Sequence, residues 1–163
     1  MLDPDLVLET VVAAFRSIAP LVAEMADDPS NIYGHAYQYG ADKSLALAIN
    51  SQTSPSILVA YLDYLGGQFS GMTVWKHRLT AYIRPKNAAV GLTSSGARAA
   101  SPQHIFWLMM NSPVLGGAQN FRYTELMPGL MLLDAMPSLT HQTEESGADF
   151  FNVLITIPEL GDA

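Results

Sequence analysis

Alternation is clearest between residues 72 and 85. Trp75, His77, Leu79, Ala81 and Ile83 fall on one side of an extended segment, and Val74, Lys76, Arg78, Thr80, Tyr82 and Arg84 fall on the other. A two-residue period sustained over that length predicts a strand with one buried face and one wetter face. Upstream, Pro55-Ser-Ile-Leu-Val-Ala-Tyr-Leu-Asp-Tyr is a second run rich in β-branched and aromatic residues. Between the two runs, Leu65-Gly-Gly-Gln-Phe-Ser-Gly71 predicts a glycine-rich turn region. Residues 55–85 therefore read as a hairpin bounded by Pro55 and Pro85. A slip of one residue would drive Lys76 and Arg78 into the core, so its register should be firm.

Helical spacing dominates the N-terminal stretch. Leu8, Val11, Val12, Phe15, Ile18, Val22 and Met25 recur every three or four residues, predicting an amphipathic helix over 4–26. Asp3 is placed to cap it, with Pro4 at the first helical position and Asp5 near the positive end of the helix dipole. Pro20 removes an amide donor and clashes with the preceding turn, so the helix should kink or split near Ala19. Ile32, Tyr33, Tyr37 and Tyr39, spaced by Gly34 and Gly40, predict an extended segment. Asp42 is placed to cap a short helix through Leu45 and Ile49, although Leu45, Leu47 and Ile49 also alternate as a strand would.

Residues 86–101 are mostly Ala, Gly, Ser and Thr, with little to bury, and predict a long mobile loop. Ser101-Pro102 then opens a helix whose apolar face holds Ile105, Phe106, Leu108 and Met109, ended by Pro113. Leu115–Thr124 is a connection. Leu130-Met-Leu-Leu133 predicts a strand through Met136, bracketed by Pro128 and Pro137. Thr140–Gly147 reads as a polar, acidic turn. Asp149–Ile157 alternates again, with Phe151, Val153, Ile155 and Ile157 on one face. The fold class this order predicts is α+β: an antiparallel sheet of about four strands with helices packed on one face, in a single domain over 1–163. Trp75, Leu79, Ile83, Phe151, Val153 and Ile155 should pack there against Phe15, Ile18 and Phe106.

Composition changes this picture in one respect. Charged residues make up 14% of the 163-residue chain and apolar residues 49%, against roughly 25% charged in an average globular protein. Part of the apolar surface is therefore expected to be covered by another chain. The absence of cysteine excludes disulfides and thiolate metal sites. A net charge of -7 without any run of Lys or Arg argues against binding nucleic acid through a basic face. The chain has neither an apolar run long enough to span a bilayer nor a basic segment near Met1, and a soluble, intracellularly made protein is expected.

Candidate chemistry is sparse. His35, His77, His104 and His141 show no helical pairing and no acid at metal-binding spacing. His77, on the apolar side of its strand, reads as a satisfied core histidine. Gly91-Leu-Thr-Ser-Ser-Gly96 has the outer spacing of a phosphate loop, but Ala97-Arg98 stands where Lys-Ser/Thr is required. No G-x-S-x-G elbow is present. No catalytic residue, metal site or cofactor is assigned.

The succession of these segments resembles the tail terminator proteins of long-tailed bacteriophages, the family of the lambda minor tail protein U. It is carried by an N-terminal amphipathic helix, the proline-led strand Pro55-Ser-Ile-Leu-Val-Ala-Tyr-Leu62, and a glycine-bearing turn. It continues through the Trp-containing strand Val74-Trp-Lys-His-Arg-Leu-Thr-Ala-Tyr-Ile-Arg-Pro85, a loop and a helix, and two closing strands ending Phe151-Asn-Val-Leu-Ile-Thr-Ile157. It covers most of the chain outside 27–54. The resemblance implies a structural assembly protein of the virion rather than an enzyme. Such a protein is made in the host cytoplasm and forms a six-membered ring that caps the head-proximal end of the tail tube and stops its polymerisation. Its implied partners are copies of itself, the tail-tube protein and a head-completion or neck protein. No membrane or specific nucleic acid is implied, and the ring leaves DNA a way through.

Three surface patches are the candidate contacts. The first is the 86–101 loop with Arg84, Lys86 and Arg98. The second is the outward strand face with Lys76, Arg78, Thr80 and Tyr82. The third is the acidic turn holding Glu144 and Glu145. Each also reads as ordinary solvated surface. Rival functions are another head–tail connector, a tail-tube subunit, or a small α+β enzyme or ligand-binding domain with a pocket under Trp75 and Trp107.

Overall fold

The computed structural model describes residues 1–35, 43–69, 71–85, 102–110, 125–127, 130–131, 139–143 and 149–159. The N-terminal periodic stretch forms two helices, α1 (Pro4–Arg16) and α2 (Ala19–Glu24). The Asp3 side chain accepts from the Asp5 amide and caps α1. The break falls at Ser17–Ile18, which lets Pro20 sit in the first turn of α2, where its missing N–H removes no helical hydrogen bond. After α2, Ala26 and Asp27 both take left-handed backbone angles, with φ of 57° and 55°. The Asn31 side chain, donating to the Met25 carbonyl at 2.9 Å, ties this turn down.

The sheet is larger than the predicted four strands. Its members are β1 (Ile32–His35), β2 (Ser56–Phe69), β3 (Met72–Arg84), β4 (Glu125–Met127), β5 (Leu130–Met131), β6 (Leu139–Thr143) and β7 (Asp149–Glu159). These seven strands run in the order β1-β2-β3-β7-β5-β4, with β6 also paired to β7. Among the described strands, only β1 and β2 pair in parallel, and α3 (Lys43–Asn50) lies between them in sequence. The class is α+β, as predicted. The additional strands are short, and several have sequences that do not alternate.

Three expectations need correction. Gly66 and Gly67 lie within β2, opposite Trp75 and Val74, and the hairpin turns beyond Phe69, where Gly71 has a φ of 79°. The Lys76 side chain lies across Gly67, where a Cβ would come within 2.9 Å of its Cε and move that flexible end aside. Thr140–Gly147 is not wholly a turn, because β6 reaches Thr143 and pairs with β7 from Leu139↔Val153 to Thr143↔Asp149. The strand expected from Leu130 begins as β5, paired antiparallel with β4, and its continuation over 132–136 lies outside the described residues. Finally, Trp75 is no core residue: it is 41% exposed and packs edge-on against Tyr64 near the turn end of the hairpin.

The core is one cluster. Val7, Leu8, Val11, Val12 and Phe15 of α1, with Leu21 of α2 and Met25 just after it, pack over Ile57, Val59, Leu79, Ala81, Ile83, Val153, Ile155 and Ile157. Ile105 and Met109 of α4 (Pro102–Met110) join it. Phe151 is buried as predicted, whereas Ile18 and Phe106 are only half-buried at its margin. Burial of such side chains contributes about 1.5–3 kcal/mol each. The cluster places α1, α2 and α4 on one face of the sheet. The opposite, outer face is left to the residues that alternate with the core.

Candidate functional site

The outer face of β2, β3 and β7 brings together four of the residues singled out from sequence. Arg78 lies opposite Asp63 on one side and Thr156 on the other; Lys76 lies opposite Leu65 and Pro158, and Tyr82 opposite Leu58 and Asn152. A β-bulge sets the first of these pairings: Tyr61 faces Leu79, yet Asp63 already faces Arg78, so β2 carries one extra residue there. Without that residue Asp63 would point to the core. With it, the Arg78 guanidinium grips Asp63 through Nε and Nη2, both at 2.5 Å. These hydrogen bonds hold the Asp63 carboxyl below its usual range and the guanidinium above its own. Both side chains are more than a third exposed, so the pair contributes under about 1 kcal/mol.

The same face is drier than a solvated sheet face. Leu58, Ala60, Val74 and Thr80 are buried on it. Tyr82 is half-buried, and that burial pushes its phenol above the usual value. The buried Gln52 amide donates to the Tyr82 carbonyl at 2.8 Å and to that of Ser56 at 3.1 Å. Arg84 donates from Nη2 to the carbonyl of Ile49 in α3 at 3.1 Å. That bond makes it a strut within the subunit. Lys86, Arg98, Glu144, Glu145 and the 86–101 segment lie outside the described residues.

A second polar constellation is buried in the sheet. His77, fully buried, donates from Nε2 to Glu159 Oε2 at 2.6 Å, while the Tyr61 hydroxyl is 2.5 Å from Nδ1. One neutral tautomer satisfies the ring: Nε2 carries the proton toward the carboxylate and Nδ1 accepts from the phenol. Glu159 Oε2 also accepts from the Leu2 amide at 2.8 Å, and its Oε1 lies 3.4 Å from the Met1 amine. Burial alone would raise the Glu159 pKa. The Leu2 amide, His77 and the terminal amine outweigh it and hold the carboxyl below its ordinary 4.5. The prediction of a satisfied core histidine is met. Its partners were not foreseen, since Glu159 lies 82 positions from His77 and 157 from Leu2.

A groove of about 690 Å³ runs along the outer side of α1, lined by Asp5, Leu8, Glu9, Val12, Ala13, Arg16, Ser17 and Gly34. Tyr61, His77 and Glu159 do not line it. A side chain at Gly34 would come within 3.1 Å of Leu8, so glycine there lets β1 approach α1 closely. Among the described residues, no three His, Cys, Asp or Glu side chains are grouped to hold a metal ion, and no helix is long and apolar enough to cross a membrane. No protein-family model matches the chain, and no curated protein matches it in sequence.

Proposed function

We propose that this chain is a ring-forming structural subunit of a phage virion that caps the head-proximal end of the tail tube. On this reading it stops tube polymerisation and offers the free side of the ring to a neck or head-completion protein. Its succession of helix, long hairpin, helix and closing strands is the one through which the sequence resembles tail terminators. The observation that carries the reading is apolar surface. Leu47 is 66% exposed, Trp107 61%, Leu154 46%, Leu65 42% and Trp75 41%, on a chain with few charges to offset them. Side chains of this size spread over several faces suit a subunit covered by neighbours on more than one side. The enzyme reading is less well supported: the Tyr61–His77–Glu159 chain is fully bonded within the core, and the groove on α1 gathers none of its members.

Light scattering from tail-tube protein of the same genome, polymerising with and without this chain, tests the proposal. A substoichiometric amount, on the order of one ring per growing tube, should halt elongation. Unchanged elongation, or uptake of the chain in proportion to tube mass, would reject the cap. Binding to filled heads alone would assign the protein to head closure instead.

A further inference from the structure

Charge is sorted along this chain. Residues 1–42 hold seven acidic residues and one basic, residues 43–122 hold one acidic and seven basic, and residues 123–163 hold seven acidic and none basic. Folding turns part of this sorting into opposite sides of one sheet. The helix side displays Asp3, Asp5 and Glu9 exposed and Glu24 half-exposed, with Arg16 as its one cation through α2. The outer sheet face carries Lys76 and Arg78, with Asp63 as the acid among its described residues, while Arg84 of the same face is bonded to α3.

Each side also has exposed apolar side chains among its charges. On α1, Leu6 is 41% exposed between Asp5 and Glu9. On the outer sheet face, Leu65 is 42% exposed directly opposite Lys76, and Leu154 is 46% exposed on β7, two residues along from the partner of Arg78. Apolar anchors rimmed by charge are the usual make-up of a protein interface. The signs decide who docks with whom. Two outer faces would bring cations together and two helix faces would bring carboxylates together, so a self-complementary dimer through either face is opposed by repulsion. Helix face on outer sheet face is the attractive pairing. It joins opposite sides of the subunit, and such a contact repeats until a rotation closes it.

We propose that copies of this chain pack head to tail, the acidic outer side of α1 in one copy lying against the Leu65–Lys76–Arg78–Leu154 surface of the next. This deepens the ring reading and rests on it, naming the two surfaces that meet in the ring. Arg78 serves the contact through its fixed guanidinium, already oriented by Asp63, and Lys76 through its longer reach.

Charge exchange between the two surfaces tests it. One variant carries Asp5→Lys with Glu9→Lys; the other carries Lys76→Glu with Leu154→Glu. These are surface positions outside the buried cluster, so far-ultraviolet dichroism should match the wild type, and melting should fall only slightly, through the loss of Asp5 at the positive end of the α1 dipole. In sedimentation velocity at low salt, each variant alone should associate roughly tenfold or more weakly than wild type. An equimolar mixture should recover association, because every junction in it again joins opposite charges. Lys76→Glu alone, as the mildest change, should weaken association without loss of fold. Variants that associate like wild type, or a mixture no better than its parts, overturn the contact, as does a wild type that stays monomeric. The two proposals fail separately. If both variants halt tube growth as well as the wild type, the contact is wrong and the cap stands. If the charge exchange behaves as described but tube growth continues, the contact stands and the cap is wrong.

Discussion

Phe15→Ala is expected to lower the unfolding free energy by about 3–5 kcal/mol, the range for truncating a fully buried phenylalanine. Phe15 has no exposed surface and sits where α1, α2 and the sheet share one cluster. Its ring has neighbours from several elements, and none can close the void without moving backbone, because α1 is fixed at its start by the Asp3 cap and at its end by the Arg16 bond to the Ile32 carbonyl at 2.7 Å. Phe15→Leu should cost much less, since most of the volume is restored. Urea denaturation of the three proteins measures both differences. A Phe15→Ala loss below about 1.5 kcal/mol would mean that α1 is not seated on the sheet as described.

The second large effect is at Glu159. Replacing it with alanine removes the acceptor for the His77 Nε2–H and the Leu2 amide together, inside a site that is 5% exposed. Buried donors left without partners cost about 1–3 kcal/mol each, so a loss of about 3 kcal/mol is expected. Glu159→Gln, which keeps one acceptor oxygen, should fall between the two. The pH dependence has a definite sign. Native Glu159 holds its proton less tightly than the unfolded chain does, so its stabilising contribution is complete above the ordinary value of 4.5 and fades as pH falls through the lower native value. The wild type should therefore lose stability more steeply than Glu159→Gln below that pH. Parallel acid limbs in denaturant titrations at several pH values would remove Glu159 from the account.

Parts of this molecule were legible because they obey a single period. The α1 stripe, the break before Pro20, the alternation from Trp75 to Ile83 and the closing strand each follow from local spacing and one buried face. The departures have physical reasons. In β6, Leu-Thr-His-Gln-Thr shows no apolar alternation, because the strand is held along β7 by ladder pairing and by the Thr140 hydroxyl donating to Asn152, with Leu139 alone packed against the core among its described side chains. Gly66 and Gly67 read as a turn, yet a long antiparallel partner kept them extended. Trp75 has the right parity for the core but lies near the turn end of the hairpin, opposite Gly66, and parity alone did not bury it. Arg84 looked like a free outward cation; only the fold brings the Ile49 carbonyl within its reach. The Tyr61–His77–Glu159 chain joins three strand positions across the sheet, and no sequence spacing encodes that meeting. Of the candidate contact surfaces, the alternation of β3 located Lys76 and Arg78. The acidic side of α1 acquires meaning only when the fold sets it opposite them.

A chain that caps one tube end, held there by copies of itself, should be visible at that end. Electron microscopy of tail tubes incubated with gold-labelled protein tests this most directly. Label is expected at a single end of each tube, with a ring-shaped density there. Label scattered along the walls, present at both ends, or absent from tubes would contradict it.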